Sequence, residues 1–127
     1  MDLVISSFVS MGDVLKERLV LKATDDVDIG GYSVFAAAES SKGDGVQSGK
    51  VNAYWFPDLD VKKDDLIVLY TKKGSRSKKE LAGNRTAWFF YWGCEEAIWK
   101  GKIKRRAVLV EVLNWTSEAP QEQAPSE

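Results

Sequence analysis

Arg18-Leu19-Val20-Leu21-Lys22 alternates strictly between apolar and outward-facing positions. Successive side chains of an extended chain point to opposite faces, so Leu19 and Leu21 turn to a core while Arg18, Val20 and Lys22 face away. Upstream, Leu3 and Ile5 share one direction with Phe8, and Ser6-Ser7 breaks the alternation between them. Ser10 to Glu17 reads as one short helical turn, because Ser10 stands three residues before Asp13. Downstream, Thr24 to Gly31 holds three aspartates and a Gly-Gly pair, which predicts a turn. Tyr32 to Ala38 resumes the pattern with Tyr32, Val34 and Ala36 on one face. Val51 to Phe56 is a fourth strand, closed by Pro57, which cannot donate to a ladder. Leu66 to Tyr70 is apolar throughout, as a central strand covered on both faces requires. Thr86 to Trp92 is strongly aromatic, and Ala107 to Leu113 alternates again. Seven or eight strands at about ten-residue spacing, with no long helix, predict an all-β sandwich, with a small barrel as the alternative.

The chain has 127 residues, which suits one domain. We read residues 1–115 as the β-sandwich domain. Residues 116–127, TSEAPQEQAPSE, are too polar to pack and read as a disordered tail rich in proline and glutamate. Glu39 to Lys50 reads as a mobile polar loop and Thr71 to Arg85 as a long basic one. With 44% hydrophobic and 29% charged residues, the body is not a disordered chain. No apolar run approaches the roughly 20 residues of a transmembrane segment. The opening MDLVISSFV has neither a basic lead nor a small-residue cleavage site. The single cysteine, Cys94, excludes an intrachain disulfide and fits a reducing compartment, so the expected location is cytoplasmic.

Histidine is absent. That removes the commonest general base, metal ligand and physiological pH switch at once. Triads of the Ser-His-Asp type and Cys–His pairs fail for want of the base. Cys94 stands next to Glu95, whose charge raises a thiol pKa, so an inert structural thiol is expected. One cysteine and no histidine make no standard zinc site. Carboxylates cluster at Asp25, Asp26 and Asp28, at Asp58 and Asp60, at Asp64 and Asp65, and at Glu95 and Glu96. None carries the spacing of an EF-hand loop, and turn chemistry accounts for the first three. Gly49-Lys50 ends no phosphate-cradling loop, because Asp44 replaces the leading glycine and Val51 the hydroxyl residue. The expectation is a protein that is not an enzyme and needs no cofactor or metal.

The net charge of −1 hides an asymmetry. Residues 1–61 carry five basic and ten acidic side chains, residues 62–106 thirteen and five, and residues 107–127 none and four. The basic side chains gather in Lys72, Lys73, Arg76, Lys78, Lys79 and Arg85, then in Lys100, Lys102, Lys104, Arg105 and Arg106. Such concentration attracts anionic partners, although lysines also serve to block an edge strand. Between the two groups lie Trp88 to Trp92 and, further on, Trp99. Alternation sends only one of the sets Trp88/Phe90/Trp92 and Phe89/Tyr91 into the main core. The other must be covered by a loop, a partner or a second subunit. Trp88, Trp92 and Trp99 are the candidates for an aromatic binding face.

Several segments together resemble the lamin tail domain, an immunoglobulin-like β-sandwich of nuclear lamins and many bacterial proteins. The stretch Glu17-Arg-Leu-Val-Leu-Lys-Ala-Thr-Asp-Asp-Val-Asp28-Ile29-Gly30-Gly31-Tyr32-Ser33-Val34 resembles that family's strand, polar turn and Asp-hydrophobic-x-Gly-aromatic step. Phe56-Pro57 leading to Leu66 to Leu69 is similar to its aromatic-Pro segment, and Ala87 through Val112 to its Trp-containing segment and closing strands. The turn carries Asp64-Asp65 where the family favours a glycine, and the segment from Lys100 to Arg106 is more basic than the family's. The resemblance spans roughly residues 3–114 and implies an immunoglobulin-like sandwich with a non-catalytic adaptor role. Family members are associated with protein partners, nucleic acid and membrane surfaces.

Three functions follow. The first is an interaction module that binds a protein partner or self-associates through an aromatic face or a sheet edge. The second is a nucleic-acid-binding domain using basic loops 72–85 and 100–106. The third is a calcium- or sugar-binding sandwich, drawn from its aspartate turns and aromatics.

Overall fold

The computed structural model describes residues 1–41, 45–47, 49 and 51–122. Among these residues ten strands form, in chain order: β1 Leu3–Val9, β2 Arg18–Ala23, β3 Val27–Asp28, β4 Tyr32–Ala38, β5 Asn52–Trp55, β6 Asp60–Val61, β7 Leu66–Tyr70, β8 Ser77–Leu81, β9 Arg85–Tyr91 and β10 Arg105–Glu111. The fold is all-β, as the alternation predicts. A five-stranded sheet runs β1-β2-β7-β9-β8 and a three-stranded sheet runs β10-β4-β5, while β3 and β6 pair as a small third sheet. The core lies between the two larger sheets. Leu3, Leu19, Leu21, Ile67, Leu69 and Phe90 face Tyr32, Val34, Ala36 and Phe56 there.

Leu19 pairs with Leu69 and Leu21 with Ile67, so the quoted strand buries the residues that its period assigns to the core. β1 pairs antiparallel with β2, and its register shifts between Ile5 and Ser7. The bulge leaves Ser6 as the extra residue, which is how Phe8 comes back to the side of Leu3 and Ile5. The turn before β4 is tied by Asp28, whose Oδ1 accepts from Gly30 N at 2.9 Å and Leu59 N at 3.0 Å. Only glycine fits at Gly30, since a Cβ there would stand 2.8 Å from the Asp58 Cα. Together these contacts seat the short β3–β6 pair under the turn.

Residues 13–17 close the single helical turn expected, with Glu17 N and Lys16 N both bonded to Asp13 O, while Ser10, at φ 52°, opens a separate turn before it. Two expectations are corrected. The expected basic loop Thr71–Arg85 contains strand β8, paired antiparallel with β9 across a turn in which Gly83 and Asn84 both have positive φ. β10 begins at Arg105, so two residues assigned to a loop belong to a strand. The expected mobile loop 39–50 falls partly outside the described residues, although Glu39 and Val46 bridge. Of the expected tail, residues 123–127 are outside the described residues, and 116–122 are exposed without secondary structure.

β7 and β9 pair parallel, with Leu66 opposite Ala87 and Tyr70 opposite Tyr91. Both strands therefore finish at one end of the sandwich, where the connections that follow them meet.

Candidate functional site

Strand β9 decides which aromatics are presented. Trp88 and Phe90 point inward, and Trp92 beyond the strand joins them. Phe90 meets Phe56 edge-on at 5.3 Å between ring centroids, and Trp92 meets Trp99 at 6.1 Å. Trp99 is itself buried. Trp88, Trp92 and Trp99 thus pack on the core and form no aromatic face, which corrects the expectation. Long-range contacts, among them those of Tyr54 and Phe56 with Phe90, place this set inward.

The outward set is half-buried. Tyr91 stacks on Tyr70 at 5.3 Å, Phe89 lies 6.3 Å from Tyr70, and Arg18 and Lys72 sit over the Tyr70 ring. The backbone at Gly74 crosses the Tyr91 ring so closely that a Cβ would fall 2.4 Å from a ring carbon. The chain's own loop is the cover that the sequence demanded.

The expected basic residues divide by position. Gly93 N donates to Lys72 O and Cys94 N to Thr71 O, so the connection after β7 abuts the one after β9. Lys72, Lys73 and Arg76 lie at the end where Lys100, Lys102, Lys104 and Arg105 also lie. Lys73 pairs with Glu95 at 3.8 Å in an exposed contact of little energetic worth. Arg76 covers Phe90 and Lys78 covers Trp88 from the open edge of the sheet. Lys79 lies exposed on β8 itself. Arg85 stands at the opposite end, its Nε 3.4 Å from Ala82 O, and Arg106 follows Arg105 on the outer face of the three-stranded sheet. The two predicted loops share an end, but Arg85 is not part of that group.

Two buried carboxylates organise the ends: Glu17, which nothing in the sequence singles out, and Asp65 of the Asp64-Asp65 turn. Glu17 is fully buried. Its Oε1 accepts from Gly12 N at 3.0 Å and Trp99 N at 3.1 Å, and its Oε2 accepts from Ile98 N at 2.9 Å and from the Thr71 hydroxyl. Four donors from three connections converge on one side chain, which satisfies a buried charge without an ion pair. At the other end Asp65 accepts from Lys62 N, Thr86 N and Trp88 Nε1 at 2.9–3.1 Å. The turn aspartates serve the backbone likewise: Asp25 accepts from Asp26 N and Asp26 from Lys63 N. Among the described residues, no group of three or more His, Cys, Asp or Glu side chains could hold a metal ion. Among the described residues no helix is long and apolar enough to cross a membrane.

Burial raises the Cys94 thiol pKa, the charge of Glu17 adds to the rise, and Arg105 opposes it. The direction is the expected one, but burial and Glu17 are the causes in place of Glu95.

The exposed apolar surface concentrates elsewhere. β1 is an outer strand of the five-stranded sheet, and Val4, Ile5 and Phe8 are 42%, 39% and 38% exposed. Met11 and Leu15 extend this surface into the following turns, and Val46 joins Val4, Ile5 and Val108 around a groove of about 430 Å³ between β1 and β10. β1 has no charged residue and no proline. A second exposed apolar pair, Trp55 and Trp115, meets edge-on at 5.2 Å on the outer face of the three-stranded sheet. Comparison with family models, curated proteins and solved structures yields no match to the chain.

Proposed function

We propose that the protein is a non-catalytic β-sandwich interaction module, working in the cytoplasm, that pairs a partner strand or a second copy along β1. The carrying observation is the β1 edge: seven residues, uncharged, bonded on one side only to β2, with three large apolar side chains exposed. An outer strand offers unused N–H and C=O groups to an incoming strand, and side chains alternating along it supply specificity. The resemblance to the lamin tail domain, with its adaptor role, supports the same reading.

Sedimentation velocity from micromolar to millimolar protein, with and without an added peptide of sequence LVISSFV, tests the proposal. Concentration-dependent association that the peptide competes supports edge pairing. A monomer at every concentration that binds no peptide overturns it.

A second reading has its own observation, since the connections carrying Lys72, Lys73 and Arg76 and those carrying Lys100, Lys102 and Lys104 meet at one end. A nucleic acid lying across that end would bind through phosphate contacts. Tryptophan fluorescence titrated with single- and double-stranded nucleic acid at about 50 and 200 mM salt tests it, because multi-phosphate binding weakens steeply over that range. Absence of binding at the lower salt removes this reading and leaves the edge reading intact.

A further inference from the structure

Arg105 opens β10 with the same parity as Ala107 and Leu109, both of which pack toward the core. Its guanidinium is half-buried at the mouth between the sheets. Nη1 donates to Ile98 O at 3.4 Å, and among the described residues no carboxylate lies within ion-pair distance. A guanidinium carries five donors in a rigid fork, so a single long bond leaves most of them unserved. The Ile98–Trp99 peptide whose carbonyl orients it is itself held by Glu17 through Trp99 N. The fork is therefore positioned by a buried anchor and directed by it.

Two clefts meet at this side chain. One, of about 390 Å³, is lined by Ala36, Ala38, Val51, Asn52, Ile103 and Arg105. The other shares Asn52 and Arg105 but is walled by Glu95 and Glu96. Those glutamates repel an anion from the second cleft. The first has no acidic residue in its lining, four aliphatic walls, and Lys102 and Lys104 on the adjoining connection to raise the local anion concentration. Its volume falls in the lower part of the range of small-molecule sites, about 300–1,000 Å³.

We propose that this cleft binds a small organic carboxylate with a short apolar chain. The Arg105 fork takes both carboxylate oxygens, the Asn52 side-chain amide adds a donor, and Ala36, Ala38, Val51 and Ile103 enclose the chain. The site is independent of the β1 edge and stands or falls without it.

Isothermal titration with butyrate, at ionic strength held constant by chloride, tests the assignment against butyramide and inorganic phosphate. Butyrate is expected to saturate one site, with butyramide silent and phosphate at least about tenfold weaker, since it leaves the aliphatic walls uncovered. Arg105→Lys keeps the charge and loses the fork, so butyrate binding falls at least about tenfold. Because Arg105 also braces Ile98, Ala38→Leu provides the second variant: it fills the cleft, leaves every charge in place, and is expected to abolish binding. Equal responses to butyrate and butyramide overturn the proposal. Phosphate binding as tight as butyrate, or butyrate binding unchanged in both variants, overturns it too.

Discussion

The two outer strands of the five-stranded sheet, β1 and β8, handle the same hazard in opposite ways. β8 is Ser-Lys-Lys-Glu-Leu, with Lys78, Lys79 and Glu80 exposed along it. Those charges oppose the approach of any further strand, and Lys78 reaches back over Trp88 to cover an aromatic edge. β1 is Leu-Val-Ile-Ser-Ser-Phe-Val, and its one protective device is the bulge at Ser6. One edge is closed by charge, and the other is left to pairing that only a local kink restricts. An edge without charge on a sheet whose opposite edge is heavily charged is the physical content of the interaction reading.

Changes that bear on this contrast can be ranked by size. The largest is Glu17→Gln. Glu17 fastens the turns leaving β1, through Gly12, and the Ile98–Trp99 segment whose indole meets Phe8 of β1. Glutamine offers one acceptor oxygen where four donors converge, and each stranded buried donor costs about 1–3 kcal/mol. A loss of about 3 kcal/mol is expected in urea unfolding, as a lower midpoint at unchanged slope. A loss under about 1 kcal/mol would show that β2 alone holds β1 in place.

Next comes Val4→Lys, which brings to β1 the device that β8 already has. Association through β1 should weaken at least about tenfold, or about 1.4 kcal/mol, with stability unchanged within about 0.5 kcal/mol. Unaltered sedimentation would break the contrast outright. The reciprocal double change Lys78→Thr with Lys79→Thr strips β8. It should create concentration-dependent association absent from the parent edge and cost the Lys78–Trp88 contact, about 0.5–1 kcal/mol. If β8 stays unassociated, its charges are not what closes it.

The smallest effect concerns Tyr32, whose hydroxyl accepts from Asp2 N beside β1 and donates to Glu111 Oε2 on β10. Burial is the main cause raising its pKa above 10.0, with the hydrogen bond to Glu111 adding to the rise and that from Asp2 opposing it. The native state therefore holds the proton more tightly than the unfolded chain. This stabilisation is complete below about pH 10 and is lost as pH rises through the native value. Tyr32→Phe should flatten the alkaline limb of a melting-temperature profile between about pH 8 and 11. Coincident wild-type and variant limbs would show that this clasp contributes nothing.

The alternating strands were legible because burial on one face imposes a period of two, so Leu19, Leu21, Val34 and Ala36 announce themselves. Even the bulge left a trace in Ser6-Ser7. β8 left none, since a strand with two consecutive lysines and a glutamate has no apolar period; β9 alone makes it a strand. The tryptophans show a different limit. Parity separates Trp88, Phe90 and Trp92 from Phe89 and Tyr91, but contacts with Tyr54 and Phe56, more than thirty residues upstream, choose the inward set. Glu17 was illegible for the same reason: its donors lie at positions 12, 71, 98 and 99, which only the folded chain brings together. Of the candidate site, the clustering of charge was readable. The β1 edge and the Arg105 cleft were not, because edges and mouths are properties of sheet order.

The parallel pairing of β7 and β9 separates the order of strands along the chain from their order in the sheet. β8 is synthesised before β9, yet its only place in the sheet is on the far side of β9. The charged strand therefore reaches the sheet only through β9, to which the turn at Ala82–Asn84 ties it as a hairpin. It is the outermost row and rests on one neighbour. Thr71 and Gly74 are fixed by Glu17 and the Tyr91 ring. It is the exposed strand β8 and the turn that follows it, where length and composition can drift without disturbing the rows beneath, that leave this architecture most room to change.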